Sequence, residues 1–423
     1  WGGLINYDAS AAQTVINGTY NNLNLSGSGA KNISATTTIN GKLSLQGTST
    51  ATGNSPTYGG SAILEYAGSA AQTSSTIEFP AGGIPNLTLN NVAGLTIPAD
   101  KLVTGTLTFT DGKISTGAKF LKLGSEATFT GASSTNYVNG TLSRSIPQSD
   151  AEFSFPVGDD SKYAPAVLAF TGRTADELVI TVSSQVNGSA PSSNSGLNSS
   201  KFLKRKWRIQ DRDLTSGRFT SYKVGLNYSA DELEAGTNED KLVVRKIGED
   251  NVWKTSQSNS RSGSKVESTG FNDFSDFYIA EQGEETQLIL SNVTELIAGN
   301  RVQYTVTRAD ALGVANFRAG TRTVYLYSNS TEGKFYADIN SLTPITSVVI
   351  GSEQSTASFY YSTTKAESNT ITASDASATA DGATGIADGT DVLNVIAGTA
   401  TKYLVTSSSS SAVAGATVTI SAQ

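Results

Sequence analysis

YNNLNLSGSGAKNISATTTINGKLSLQG at residues 20–47 and IPNLTLNNVAGLTIPADKLVTGTLTFTD at residues 84–111 are the two stretches on which the fold turns. Aligned without a gap, Asn22, Leu23, Leu25, Ile33, Ala35, Gly41 and Leu43 fall on Asn86, Leu87, Leu89, Ile97, Ala99, Gly105 and Leu107. The offset is constant at 64 (86 − 22). Upstream of each copy the pentapeptide SAAQT recurs at 10–14 and 69–73, three residues after Tyr7 and Tyr66, with an offset of 59 (69 − 10). The second copy therefore carries about five extra residues, in or near SSTIEFPAGG at 74–83, where a loop tolerates insertion.

The retained apolar positions alternate, Leu23 with Leu25 and Leu43 with Leu45, as half-buried strands require. Between them lie GSG, NG, TDG and STG, turn chemistry that lets the chain corner every ten or so residues. Short strands, corner turns and a copied unit predict a short β-solenoid over residues 1–140, about three coils per copy, each coil covering the next. A β-sandwich is the alternative for the same pattern. SAAQT reads as a corner element, the alternative being a ligand site used twice.

Composition bounds the chemistry. The 423 residues include 41 Gly and 16% charged residues, with no Cys, His or Met. Such a chain forms no disulfide, holds no thiolate- or imidazole-bound metal, and runs neither Ser-His-Asp nor Cys-His catalysis. Lacking Cys and Met, it has no sulfur to oxidise, which suits life outside a cell. A net charge of −7 without a basic cluster argues against nucleic-acid and anionic-membrane partners. No apolar run reaches the ~18 residues of a membrane span. The sequence begins at Trp1 without an initiator Met, as expected of a processed product or a piece of a longer chain.

After residue 140 charged residues become common and alternation lengthens. DELVITVSSQV, FLKRKWRIQD, FTSYKVGLNYS, DKLVVRKIG, NVWKTS and FSDFYIAEQ read as successive strands of a β-sandwich over 141–283, interrupted by a mobile loop at NGSAPSSNSGLNSS. Trp207 and Trp253 are expected in its core, or alternatively as sugar-stacking platforms. Alternation sends Lys204 and Lys206 to one face and Arg205 and Trp207 to the other, with ADELEAG and NED available for pairing.

A third module is predicted over 284–398. Its opening, TQLILSNVTELIAGNRVQYTVTR, matches TKYLVTSSSSSAVAGATVTISAQ at the end, Ala298 and Gly299 falling on Ala414 and Gly415 at an offset of 116 and Thr286 on Thr401 at 115. Both read as the start of an immunoglobulin-like sandwich. Residues 399–423 would then be the first strands of a further repeat. The fold class expected for the whole chain is all-β: a short β-solenoid followed by tandem Ig-like β-sandwiches.

YNNLNLSGSGAKNI, TTINGKLSLQG, FSFPVGDDSKYAPAVL, LKRKWRI, DELEAGTNEDKLVVRK and FNDFSDFYIA resemble the secreted multidomain surface proteins and adhesins of Bacteroidetes-type bacteria, exported by the type IX secretion system. The tandem end resembles the bacterial immunoglobulin-like repeats of such adhesins. The resemblance implies an extracellular, cell-surface or filament-forming protein, whose partners would be further domains of its own chain or identical protomers in a fibre or array.

Carboxylates are the remaining reactive groups. Glu65 and Glu78 sit in strand patterns without basic neighbours, so no acid pair of a glycosidase is evident, and a non-enzymatic role is expected. Asp375, Asp381, Asp388 and Asp391 lie in a Gly- and Ala-rich stretch as candidate calcium ligands, although the spacing matches no EF-hand loop and a solvated acidic loop is the alternative. A carbohydrate-binding or carbohydrate-cleaving module, possible through surface glycan contact, requires Tyr7, Tyr66 and Tyr137 to be exposed and collinear.

Overall fold

The computed structural model describes residues 1–423 except 150, 175, 213–217, 256–257, 317–319, 353, 400–404 and 423. Among the described residues the regular structure is β-strand and three 3₁₀ turns, with no α-helix.

One sheet of the first part is a parallel ladder. Leu4–Tyr7, Thr19–Leu25, Thr38–Gly47, Ile63–Gly68, Asn86–Asn90, Thr106–Asp111 and Thr128–Thr130 follow one another as neighbours, and Thr57–Tyr58 pairs beside Thr38–Gly47. The register places Ile5, Leu23, Leu43, Leu64, Leu87, Leu107 and Phe129 in one column. Leu23, Leu43, Leu64, Leu87 and Leu107 are wholly buried. Because side chains alternate along a strand, Asn24, Ser44, Glu65, Thr88 and Thr108 form the column on the opposite face.

The 64-residue repeat now has a physical meaning. Leu23 reaches Leu87 in three coils, with steps of 20 (23 to 43), 21 (43 to 64) and 23 residues (64 to 87). This is the stacked-coil arrangement anticipated from the sequence. Parallel pairing throughout the ladder excludes the sandwich alternative here, since hairpin-linked sandwich strands pair antiparallel.

Corners between strands are tight. A Cβ on Gly47, whose φ is +61°, would stand 2.6 Å from the Gly27 carbonyl oxygen one coil away, and one on Gly29 would stand 2.1 Å from that of Ala11. Only Gly permits coils to approach this closely.

The second face of the coils begins as Gln13–Val15, Ala30–Ile33 and Thr50–Gly53. It continues as Gln72–Thr73, Leu95–Thr96, Ile114–Leu123 and Val138–Pro147 within an 11-stranded sheet. Val138–Pro147 is the change-over strand. One edge pairs parallel with Ile114–Leu123, the other antiparallel with Glu177–Val186. The sheet then runs on antiparallel through Leu197–Asp211, Ser275–Gln282, Leu242–Ile247 and Trp253–Lys254. A five-stranded antiparallel sheet contains Phe153–Phe155, Ala166–Thr171, Ser221–Asn227, Lys265–Phe271 and Ser258–Ser262. Buried residues from Val15 to Ile279 form one hydrophobic cluster, and Trp1–Gly283 is one compact unit.

The stretch NGSAPSSNSGLNSS departs from the expected mobile loop. Strand Leu197–Asp211 starts inside it, Ser195 is fully buried, and Ser192 Oγ accepts the Trp253 indole N–H at 2.9 Å. The indole needed a partner on burial, and this loop supplies it.

Glu284–Gln423 is the second compact unit. One sheet orders Gln287–Leu290, Val302–Ala309, Thr356–Ser362 and Lys334–Tyr336. The other orders Glu295–Ile297, Gly389–Ile396, Ser368–Ser374, Arg322–Ser328 and Ser347–Ile350. Leu288, Tyr304 and Phe359 from the first meet Val324, Ile371 and Leu393 from the second in one buried cluster. Near the end of the chain Val405–Ser407 pairs antiparallel with Ile420–Ala422. The two Ala-Gly turns have the same conformation: φ is +87° at Gly299 and +86° at Gly415. Asn300 N–H donates to Ile297 O and Ala416 N–H to Val413 O, each at 3.0 Å.

Candidate functional site

Both SAAQT copies are corner braces. Gln13 Oε1 accepts the Ala9 N–H at 3.0 Å, and Gln72 Oε1 accepts the Gly68 N–H at 2.9 Å, the same four-residue closure. Gln72 also donates to Leu45 O at 3.1 Å and accepts from Asn91 Nδ2 at 2.9 Å, tying three coils together. The alanines themselves are exposed, so steric demand falls on the glycines of the next coil.

The inserted stretch after the second copy folds inward. Ser75–Glu78 turns so that Glu78 and Phe79 are buried. The Glu78 carboxylate accepts the Tyr66 hydroxyl at 2.8 Å, the Ser75 N–H at 2.5 Å and the Ser75 hydroxyl. Lys101, also buried, donates to Ser75 O at 2.9 Å and to Phe79 O. Burial lowers the Lys101 pKa, partly opposed by the Glu78 charge; burial and then that same charge push the Tyr66 hydroxyl well above its usual value. A cavity of about 310 Å³ beside this corner is lined by residues including Gln72, Ser75, Tyr66 and Glu78.

Glu78 thus stands in a turn, not in a strand, and Glu65 has a basic neighbour after all. Lys42 on the adjacent strand lies 2.9 Å from Glu65, which also accepts from Ser44 Oγ at 2.6 Å. Parallel stacking brings residues a coil apart into contact, a proximity that local sequence does not display.

A second charged cluster lies where antiparallel strands succeed the coils. Arg205, wholly buried, bonds Glu232 through Nε at 2.8 Å and Nη2 at 2.7 Å, and meets Asp159 at 2.9 Å. Asp159 caps its own turn, its Oδ1 accepting from Ser161 N at 2.9 Å and Lys162 N at 3.0 Å, while Oδ2 accepts from Val186 N at 3.0 Å. Burial alone would raise the Asp159 pKa; the Arg205 and Ser161 hydrogen bonds outweigh it and hold the carboxyl down at about 2. Local sequence marks Asp159 only as a residue of a Gly-Asp-Asp turn. Its partners lie 46 (205 − 159) and 27 (186 − 159) positions away.

Side-chain alternation in the KRK stretch is as expected. Lys204 pairs with Glu234 at 3.3 Å and Lys206 with Asp276 at 2.9 Å, while Arg205 and Trp207 face inward. The Trp207 indole donates to Ala164 O at 2.9 Å. Trp253 is also buried. The tyrosine platform does not exist: Tyr66 and Tyr137 are 0% exposed, their hydroxyls spent on Glu78 and on Asp159 O at 2.7 Å. Tyr66 sits in the buried column of Leu45 and Leu89, and Tyr137 immediately precedes strand Val138–Pro147.

Three of the four aspartates proposed for calcium come together. Asp375 follows strand Ser368–Ser374, Asp388 precedes strand Gly389–Ile396, and Asp381 lies midway along the connecting loop. One carboxylate oxygen from each lies within 4.8 Å of the others. Gly382 N–H donates to Asp388 Oδ2 at 2.8 Å and Ser374 Oγ to Asp381 Oδ1 at 3.3 Å. Asp375 Oδ1 and Asp388 Oδ1 are sealed from solvent with no hydrogen-bond partner among the described residues. Asp391 is not grouped with them. It lies within the strand, and its Oδ2 accepts the Tyr304 hydroxyl at 2.8 Å and the Val293 N–H at 3.2 Å.

No family model and no curated protein matches the chain. Among solved structures it is similar to the S-layer protein rSbsC(31-844), with 11% identity, a TM-score of 0.19, and coverage of 60% of this chain and 36% of that one. It is likewise similar to S-layer protein SbsC domains 4 and 5, with 12% identity, a TM-score of 0.19, and coverage of 51% and 97%. Superpositions this loose assign no function, and they lend no support to a Bacteroidetes origin or type IX export.

Proposed function

We propose that the chain is a non-enzymatic structural protein of a bacterial cell surface, a coil-built spacer followed by β-sandwich modules of immunoglobulin-like type in an extended array. The observation that carries this reading is the three-coil repeat, whose buried column joins Leu23 to Leu87 while its two acidic groups are taken up by internal bonds, one between coils and one within a coil. Glu65 is spent on Lys42 and Ser44, and Glu78 on Tyr66 and Ser75. A chain without His or Cys, lengthened by copying a stacking unit, is suited to extension and repeated contact. Further copies of the same modules, or identical protomers, are the partners this reading implies. No helix among the described residues is long and apolar enough to cross a membrane.

Electron microscopy of the native surface material, with an antibody against residues 1–283 as label, tests the proposal. Regularly spaced label on an envelope layer or fibre is expected. Label confined to the cytosol would contradict it, as would reducing-end release from polysaccharide by the purified chain.

A further inference from the structure

We propose that Asp375, Asp381 and Asp388 form a calcium site that closes the loop between strands Ser368–Ser374 and Gly389–Ile396. The loop spans residues 375–388, long for a connection between antiparallel neighbours. Its ends are a carboxylate each, and a third comes from its middle.

Mutual repulsion should spread three carboxylates that stand this close, unless a cation sits among them. None of the three takes part in an ion pair among the described residues, and the stretch from Ser368 to Ile396 contains no Lys or Arg. The second observation is independent of proximity. Asp375 Oδ1 and Asp388 Oδ1 are shut away from solvent and receive no hydrogen bond among the described residues, and a carboxylate oxygen buried without a partner is costly, so the pair favours a ligand between them. Gly385 leaves the needed room, since a Cβ there would stand 3.2 Å from Asp375 Oδ2.

Donor type selects the ion. An all-oxygen, all-carboxylate set suits a hard cation. Opposed ligands on calcium lie ~4.6–5.2 Å apart, from Ca–O distances of ~2.3–2.6 Å, and the three oxygens fall within 4.8 Å. Calcium also accepts irregular geometry, leaving backbone carbonyls of the loop and water to complete the shell.

The test is a calorimetric titration of the full chain, stripped with chelator, using CaCl₂ and separately MgCl₂. Terbium luminescence excited through tyrosine is read in parallel, because the Tyr327 hydroxyl donates to Ala376 O at 2.6 Å beside the site. One calcium per chain is expected, with magnesium at least tenfold weaker. Asp375→Asn and, on the exposed part of the loop, Asp381→Asn should each weaken calcium and terbium binding at least tenfold; Asp391→Asn should leave both unchanged. In the absence of calcium the Asp381→Asn chain should melt no lower than the parent, since a like charge has been removed. Absence of binding heat and luminescence would overturn the site, as would binding indifferent to Asp375→Asn and Asp381→Asn. Equal affinity for magnesium would overturn the choice of ion.

Discussion

Residues 1–283 and residues 284–423 treat their carboxylates differently. In the first unit Glu78 and Asp159 are each surrounded by donors, and Glu232 meets the guanidinium of Arg205. The second unit does the same at Glu285, which pairs with Arg322, but gathers Asp375, Asp381 and Asp388 without a protein cation. One unit closes its electrostatics with its own side chains; the other leaves a place for an ion. Stability of the first should therefore respond to side-chain deletion and acid, and that of the second to calcium.

The largest effect should come from stranding Arg205. Glu232→Ala removes a bidentate partner from a fully buried guanidinium and should cost ~3–5 kcal/mol, read by urea unfolding followed through tryptophan fluorescence. Trp1, Trp207 and Trp253 are the only tryptophans and all lie in the first unit, so this signal reports it alone. A cost below ~1 kcal/mol would show that Asp159 and Ser184, whose Oγ accepts from Arg205 Nη1 at 3.3 Å, suffice for Arg205 and that the charge cluster is not closed as described.

Next come the stacked leucines. Leu23→Ala and Leu87→Ala should each cost ~2–5 kcal/mol by the same readout, because both side chains are wholly buried in equivalent places three coils apart. A negligible loss at either would remove that copy from the core.

Acid gives a smaller change. The Asp159 carboxyl is held at about 2, below its ordinary 3.8, so its contribution is complete above pH ~4 and disappears as pH falls through about 2. Its carboxylate is 20% exposed, and the loss should be on the order of 1–2 kcal/mol. Asp159→Asn should flatten the pH dependence of tryptophan-monitored unfolding between pH 2 and about 4. An unchanged slope would mean that Arg205 does not hold this carboxyl down.

The smallest effect separates the two SAAQT copies. Gln72→Ala loses bonds to Gly68, Leu45 and Asn91 and should cost ~1–2 kcal/mol; Gln13→Ala loses only the Ala9 bond and should cost ~0.5–1 kcal/mol. Reversed costs would break the reading of the second copy as the more heavily tied corner.

The solenoid was legible because Leu23, Leu25 and Leu43 repeat at Leu87, Leu89 and Leu107 without a gap. A single-coil period was hidden because steps of 20, 21 and 23 residues differ, and only the three-coil sum recurs. Continuity through Val138–Pro147 was not legible, since a strand alternates identically whether its neighbours run parallel or antiparallel. The aspartate group was named from composition, but Asp391 was indistinguishable from the other three: nothing local reveals that Tyr304, 87 (391 − 304) positions earlier, takes its carboxylate. Glu78 was misplaced in a strand because STIEF alternates as a strand does, and the burial of a turn depends on the coils above and below it.

Heating the full chain with and without calcium, while following tryptophan fluorescence and tyrosine absorbance together, tests the contrast between the units most directly. Calcium should raise a tyrosine-reported transition, leave the tryptophan midpoint in place, and lose its effect in Asp375→Asn. A tryptophan midpoint that rises with calcium, or no transition that responds to it, would contradict the division between a self-neutralised unit and an ion-dependent one.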